Sequence, residues 1–216
     1  MNNDRIEYVV PAKYGTAELV EKRSRFIGQV WNVSSENEAR EFIAQTKSKY
    51  YDARHNCWCY IIRDGGAVRY SDDGEPQGTA GQPMLEVFKR SGIENVCCVV
   101  TRYFGGILLG AGGLVRAYSA SAKLALDAAG ISVMGMWSRF LVDCPYSLLD
   151  RVKAELSAIR ATIEQTEYSS AVLLTVLIPQ GSDELFAKRM GDISSGGIDI
   201  LPDGTVFKAV PVNDRT

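Results

Sequence analysis

The sequence has a single histidine, His55, and this scarcity limits the chemistry open to the protein. Histidine is the side chain whose ordinary pKa suits proton transfer near neutral pH, so histidine-dependent catalysis would have to use His55. Serine-based catalysis also lacks support, because Ser119 and Ser121 fall inside a predicted helix rather than on a G-x-S-x-G elbow. We therefore predict no catalytic residues and no cofactor.

Long apolar runs are missing as well. No stretch approaches the roughly 18–20 apolar residues that cross a bilayer, and the start, M-N-N-D-R-I-E-Y, lacks the apolar run of a signal peptide. The five cysteines are an odd number, and four of them lie in apolar, strand-like runs: Cys57, Cys59, Cys97 and Cys98. Buried free thiols in a reducing compartment fit this pattern best. We expect a cytoplasmic protein that makes no membrane contact.

The chain has no excess of positive charge. It carries 24 Lys and Arg against 26 Asp and Glu, for a net charge of -2. Proteins that bind nucleic acid through their overall charge are basic, so any such contact here would have to use a local patch. The chain has 216 residues, of which 46% are hydrophobic, which is enough to build the core of one large domain or two modest ones.

Strand and helix patterns alternate through the first 130 residues. A hairpin signal, Asp64-Gly65-Gly66, separates two strand patterns, and Pro83 fits only the first turn of a helix. A serine at 34 or 35 is expected to cap a helix, and Thr79 to cap the helix of Pro83. The predicted elements are one long or bent strand at 19–33 with a bulge at Gly28, a helix at about 35–49, strands at 56–63 and 67–71, a helix after Pro83, and a buried strand from Val96.

The pattern changes after Gly130. Residues 131–135 read as a connector, and the next 75 or so residues have the element order β-α-β-β-α-β, which is typical of the ferredoxin-like fold. The last strand is placed at either 198–201 or 206–210. We predict an α+β protein with two domains, residues 1–134 and residues 135–216, the second of them ferredoxin-like.

A glycine-rich loop between the Val96 strand and a long helix is the main candidate for a binding surface. Successive amides without side chains form an anion-binding nest, and a helix N-terminus adds roughly half a positive charge. Close packing and positive φ are the structural alternative, and no Walker signature is present. The candidate phosphate ligands are Arg102, Gly105, Gly106, Gly110, Gly112, Gly113 and Arg116, and the interrupting residues Ile107, Leu108 and Leu109 form either a packed segment or a hydrophobic contact tip.

Two further patches carry charge. The loop S-D-D-G-E-P-Q-G-T-A-G at 71–81 offers three carboxylates, Asp72, Asp73 and Glu75, which either coordinate Mg²⁺ beside a phosphate or simply form a turn. The basic cluster of Lys22, Arg23 and Arg25 either contacts the phosphate backbone of a nucleic acid or forms a solvated strand face. Because side chains alternate along a strand, Arg23 and Arg25 are expected on the same side.

Metal binding by His55, Cys57 and Cys59 is not expected. Alternate residues on a strand advance by roughly 6.6 Å, so His55 and Cys59 would lie about 13 Å apart, too far for one zinc ion. We predict no metal site.

The segment R-Y-F-G-G-I-L-L-G-A-G-G-L-V-R-A-Y, residues 102–118, resembles a signature of the YigZ/IMPACT family, bacterial two-domain type. Three further segments are similar to family motifs in the same order: K-R-S-R-F-I-G at 22–28, R-H-N-C-W-C-Y at 54–60, and the loop at 71–81. The resemblance implies a first domain like the second domain of the fifth small-subunit ribosomal protein, a βα sandwich shared with GHMP-type kinases. It also implies a C-terminal domain akin to one in elongation factor G.

The family resemblance implies a function in translation rather than a reaction, because its eukaryotic members are implicated in translational control through partner binding. The first hypothesis is a non-enzymatic binding protein, active in translation or its regulation, that contacts RNA, the ribosome or a translation-related protein partner. The alternative is a Mg²⁺-dependent nucleotide-binding enzyme of the GHMP-kinase type that uses the glycine loop. The sequence does not determine the oligomeric state.

Overall fold

A computed structural model describes residues 7–194 and 196–211. The chain forms two compact units, with the division between Val133 and Met134. We call residues 8–133 the N-terminal unit and residues 134–210 the C-terminal unit, and each is described by itself. No helix in the described residues is both long enough and apolar enough to cross a membrane.

The N-terminal unit is built on an antiparallel sheet. The unit begins with β1 (Tyr8–Pro11). The strands of the sheet are β2 (Gly15–Glu21), β3 (Ser24–Asn32), β4 (His55–Ile61), β5 (Val68–Ser71) and β6 (Val96–Tyr103), in the spatial order β2-β3-β6-β4-β5. The central strand β6 is buried from Val96 to Arg102, which explains its near-continuous apolar sequence.

Helices cover both faces of this sheet. Helices α2 (Gly81–Arg90) and α3 (Ala111–Ala129) pack with residues such as Phe26, Cys98 and Val100 on one face. Helix α1 (Glu36–Lys49) packs with Cys97 and Val99 on the other. Alternate side chains of β6 therefore enter two separate cores, as strand geometry requires.

The small residues of α3 let it approach the sheet closely. A Cβ at Gly28 would lie 2.5 Å from the carbonyl oxygen of Ser121, and one at Gly15 would lie 2.3 Å from that of Ala125. The helix therefore lies almost against the backbone of β2 and β3. Gly28 serves this contact and pairs in regular register with Ala17 and Val100, so the predicted bulge is wrong.

The prediction of one strand at 19–33 is also wrong. The chain reverses at Lys22 and Arg23, whose φ angles are 44° and 66°, and β2 and β3 pair as an antiparallel hairpin. Arg23 therefore lies in the turn and does not share a strand face with Arg25. Sequence patterns miss this turn because it contains neither the glycine nor the asparagine that usually adopts positive φ.

Helix α1, the β4–β5 hairpin and helix α2 follow the predictions, whereas β1 was not predicted. Helix α1 begins after Ser35, whose Oγ accepts a hydrogen bond from the amide of Glu38 at 3.2 Å. Strands β4 and β5 form the predicted hairpin around Asp64–Gly66. Pro83 lies in the first turn of α2, whose buried face includes Met84 and Phe88 but leaves Val87 half-buried.

The C-terminal unit contains a second sheet with two helices. Its elements are β7 (Ile131–Cys144), which begins three residues before the division, α4 (Leu149–Ala158), β8 (Thr162–Tyr168), β9 (Val172–Pro179), α5 (Asp183–Ser194) and β10 (Asp199–Pro211), which ends one residue beyond the unit. Strand β9 pairs antiparallel with β7 and β8, while β10 also pairs with β7. Residues 131–135 belong to β7 and not to a connector, and both predicted positions of the last strand overlap β10, which begins at Asp199. The core includes Val142, Leu156, Leu174, Val176 and Phe186.

Candidate functional site

The glycine loop connects β6 to α3 and spans residues 104–110. Its first glycine is held against the β2–β3 turn: a Cβ at Gly105 would lie 2.0 Å from the carbonyl carbon of Arg23 and 2.1 Å from its oxygen. The amide of Gly105 donates to Ser24 Oγ at 3.2 Å. Only glycine fits at this contact, because the obstructing atoms are backbone and have little freedom to move.

The other end of the loop starts α3. Gly110 precedes the helix with φ of 71°, and no side chain among the described residues caps the helix N-terminus. Gly112 and Gly113 are not loop residues, since both lie in the first turn of α3. The exposed Arg116 lies beside this turn, with Nη1 3.6 Å from the place of a Cβ on Gly112.

Between these ends the loop displays apolar side chains. Leu108 is 82% exposed, Phe104 is 46% exposed and Ile107 is 41% exposed, whereas Leu109 is buried in the core beside α3. The loop is thus anchored at Gly105 and Leu109, and its tip points into solvent.

Arg102 lies beneath the loop and not on its surface. Its Nη1 donates to Glu75 Oε1 at 2.7 Å, and the side chains are 7% and 3% exposed. The guanidinium lies 5.4 Å from the ring centre of Phe26 and 5.6 Å from that of Phe104. Arg102 is therefore engaged inside the protein, and the phosphate-binding hypothesis has to rest on Arg116 and the loop.

Two more side chains meet Glu75. The hydroxyl of Tyr118 on α3 donates to Glu75 Oε1 at 2.8 Å, and burial raises the pKa of that phenol well above its ordinary value, so it stays a donor. His55 Nδ1 lies 2.9 Å from the carbonyl oxygen of Asp73, which can only accept, so Nδ1 donates this hydrogen bond. His55 Nε2 then lies 4.0 Å from Glu75 Oε1. We call Arg102, Glu75, Tyr118 and His55 the buried polar cluster.

The remaining carboxylates of the acidic loop also have partners within the protein. Asp72 accepts from the amides of Gly78, Ala80 and Gly81 at 2.8, 3.0 and 2.9 Å, and so caps α2 from outside the helix. This cap replaces the predicted one, because the hydroxyl of Thr79 donates to the carbonyl of Pro76.

Asp73 accepts from the amide of Asn56 and pairs with Lys47 at 2.6 Å. With Asp72 on the amides that lead into α2 and Glu75 on Arg102, these carboxylates hold the loop together. The contacts agree with the turn interpretation better than with a Mg²⁺ site, whose ligands need free oxygens.

The basic residues at the β2–β3 turn are exposed. Arg25 forms an ion pair with Glu18 at 2.8 Å and lies 5.9 Å from the ring centre of Tyr103. Lys22 and Arg23, in the turn itself, lie next to the glycine loop because Gly105 packs on Arg23.

The thiols of β4 are buried in the core. Cys57 Sγ donates to the carbonyl oxygen of Asp72 at 2.9 Å, and burial raises the pKa of this thiol. Within the described residues, no group of three or more His, Cys, Asp or Glu side chains has an arrangement that would hold a metal ion.

The sequence did not identify three residues of this site: Ser24, Tyr118 and, as a neighbour of Glu75, His55. A weak signal existed only for Tyr118, a residue with a polar hydroxyl on the buried face of α3, because Ser24 and His55 stand at the polar starts of β3 and β4. Their convergence depends on the register of the sheet, in which Arg102 faces Phe26 on one side and His55 on the other.

The fold and this site define a two-unit α+β protein whose N-terminal sheet ends in a buried polar cluster beneath a glycine loop. The Impact N-terminal domain matches residues 22–126, and a domain of unknown function (DUF1949) matches residues 142–196. The chain is 37% identical over 207 residues to the IMPACT family member YvyE of Bacillus subtilis, covering 95% of each chain. It is 34% identical over 197 residues to the IMPACT family member YigZ of Escherichia coli, covering 90% of this chain and 97% of that one. The chain belongs to the IMPACT family, which confirms the resemblance read from its motifs.

A solved structure, described as the crystal structure of a hypothetical protein, is similar in fold. It has a TM-score of 0.58 and 33% sequence identity, and the match covers 90% of this chain and 96% of the other. The likeness extends over both units.

Proposed function

We propose that the protein is a non-enzymatic binding protein in translation or its regulation, and that it binds through the glycine loop and the start of α3. One observation carries the proposal: a loop anchored at both ends presents exposed apolar side chains beside an uncapped helix N-terminus. Loops held in this way on a rigid scaffold are common places for binding residues. The translational role rests on the resemblance to the eukaryotic members of the family.

The start of α3 supports contact with an anionic partner such as RNA or a ribosomal surface. The first amides of a helix have no partner within it, and the aligned peptide dipoles favour negative charge there. Arg116 adds an exposed guanidinium beside the same turn. The exposed tip residue Leu108 supports a protein contact at the same place.

The buried polar cluster supports a binding role over catalysis. Glu75 is occupied by Arg102 and Tyr118, and the raised pKa of Tyr118 keeps its phenol protonated, so that no phenolate is available as a base. The carboxylates of the acidic loop have protein partners too. These contacts weigh against the GHMP-type Mg²⁺-nucleotide alternative, which needs free carboxylates beside the phosphate loop.

The finer fold assignments belong to the same proposal. For the C-terminal unit we propose the ferredoxin-like arrangement, which is supported by the order β-α-β-β-α-β and by β7 pairing with both β9 and β10. For the N-terminal unit we propose the βα sandwich shared by the ribosomal protein and the GHMP-type kinases. We place the domain boundary at residues 134–135.

Co-sedimentation with purified bacterial ribosomes and with ribosomal RNA tests the proposal. We expect the wild-type protein to sediment with one of them, and Leu108→Asp and Arg116→Ala to weaken this binding. Leu124→Asp and Lys123→Ala are matched controls, because both change exposed residues farther along α3. If the folded loop variants bind as the wild type does, or if the wild type binds neither target, the proposal is wrong.

A further inference from the structure

The exposed residues around the glycine loop combine positive charge with aliphatic surface. Accepting the proposed function, we infer that this surface binds an acidic polypeptide segment that also carries apolar side chains. We define the cationic apolar face as Lys22, Arg23, Phe104, Ile107, Leu108 and Arg116.

The face is continuous because the β2–β3 turn and the glycine loop are in contact. Gly105 packs on the backbone of Arg23 and Ser24 and donates its amide to Ser24 Oγ. The turn residues Lys22 and Arg23 therefore lie next to the loop that carries Phe104 and Leu108. The loop then leads into the first turn of α3.

Carboxylates are rare along the chain segments that form this face. The sequence has no Asp or Glu from residue 95 to residue 126, so the loop and most of α3 contribute none. Lys22 and Arg23 form no ion pair within the described part of the chain. The neighbouring carboxylate along the chain is the exposed Glu21, at the end of β2. The positive end of the α3 dipole adds to the charge of these cations, so the face is complementary to a negatively charged partner.

The tip favours a polypeptide over RNA. Single-stranded RNA usually gains affinity by stacking bases on aromatic rings, whereas Ile107 and Leu108 are aliphatic. The one aromatic ring of the face, Phe104, already lies over the guanidinium of Arg102. An exposed leucine is desolvated best by an apolar side chain of its partner, while acidic residues around that side chain would meet Lys22, Arg23 and Arg116.

Fluorescence anisotropy with the full chain tests this inference. The first labelled probe is a short synthetic peptide of Glu and Asp residues interspersed with Leu and Phe. In the second probe Ser replaces Leu and Phe, in the third Lys replaces the acidic residues, and the fourth is single-stranded oligouridine. We expect the first probe to bind at least about tenfold more tightly than the others, with an affinity that falls as salt is raised above ~0.15 M.

Variants locate the binding on the face. We expect Leu108→Asp and Arg23→Glu each to lower the affinity for the first probe at least about tenfold. Glu21→Gln, which removes the nearby negative charge, is expected to tighten it slightly. Leu124→Asp serves as the control and leaves the affinity unchanged, and thermal melting confirms that each variant is folded.

The outcomes separate this inference from the proposed function. Suppose that Leu108→Asp abolishes co-sedimentation with ribosomes or RNA, while the peptide probes all bind with the same affinity or do not bind. The proposed binding role then stands, and the inference of an acidic polypeptide partner is wrong. If oligouridine binds most tightly and is lost in the same variants, the partner is RNA and the inference is overturned. If the first probe binds as expected while the wild type sediments with neither ribosomes nor ribosomal RNA, the inference stands and the role in translation fails.

Discussion

Arg102 Nη1 and Glu75 Oε1 form an ion pair of 2.7 Å that joins the central strand β6 to the acidic loop. Both side chains are almost completely buried, and Tyr118 brings α3 to the same oxygen. A single carboxylate thus connects the sheet, the acidic loop and the helix that follows the glycine loop. Burying two charges costs solvation free energy, so this contact stabilises the unit only while both partners are present.

Replacing one partner of this pair should be strongly destabilising. We expect Glu75→Gln, which leaves the Arg102 charge buried and unpaired, to lower the free energy of unfolding by about 3–5 kcal/mol. Urea unfolding measures the change. Glu18→Gln breaks the exposed pair with Arg25 and should change the stability far less, because solvent screens that pair. A loss below about 1 kcal/mol in Glu75→Gln would contradict a structural role for the buried pair.

The local parts of this fold were predictable from sequence, while the contacts that depend on pairing were not. Ser35 indicated the start of α1, and Pro83 the first turn of α2, because caps and proline act within one turn of chain. The turn at Lys22 and Arg23 was missed because its positive φ angles come from residue types that seldom adopt them.

The candidate site shows the same limit. Five glycines in a short stretch predicted a loop of special geometry, and the structure confirms this for Gly105 and Gly110. The ion pair of Arg102 was not visible, because a charged residue at the end of an apolar strand does not reveal which segment will cover it. Glu75 lies 27 positions earlier in the chain and reaches Arg102 only through tertiary packing.

The glycines of the loop should differ sharply in their tolerance of alanine. Gly105→Ala would place a methyl group 2.0 Å from backbone of Arg23, and we expect a loss of about 2 kcal/mol or more. Gly106→Ala meets no atom within 4 Å but has φ of 82°, so it should cost about 1–2 kcal/mol.

Gly112→Ala is the matched control for these glycines, since Arg116 Nη1 lies at an ordinary contact distance of 3.6 Å and α3 gains a better helix former. Its stability should be unchanged or raised by up to about 1 kcal/mol. Urea unfolding compares the variants. If Gly105→Ala has the same urea midpoint as Gly112→Ala, the loop does not pack on Arg23.

Asp72 should matter more than an ordinary helix cap. We expect Asp72→Ala to lower the free energy of unfolding by about 2 kcal/mol or more, because the amides of Gly78, Ala80 and Gly81 lose their acceptor. Asp72→Asn retains one carbonyl oxygen and should cost less. Ser35→Ala, which removes a single cap bond from α1, should cost about 1 kcal/mol. Equal losses in Asp72→Ala and Ser35→Ala would mean that these amides find water or other acceptors.

Buried thiols should make the protein less stable at alkaline pH. Burial raises the pKa of Cys57 and of Cys97, while the same thiols in the unfolded chain ionise near pH 8.5. The folded state therefore holds more protons than the unfolded state above that pH. The stabilisation that each such thiol contributes is therefore complete below about pH 8.5. As the pH rises further, the free energy of unfolding falls by about 1.4 kcal/mol per pH unit for each thiol.

Urea unfolding between about pH 8 and pH 10 measures this slope, and Cys97→Ala isolates one thiol from the other titrating groups. The variant is expected to start from a lower stability, because it leaves a small cavity beside Val99, but to lose less of it on alkalinisation than the wild type. Parallel curves for the two proteins would show that Cys97 ionises in the folded state, and therefore that its side chain is not held away from water as the structure describes.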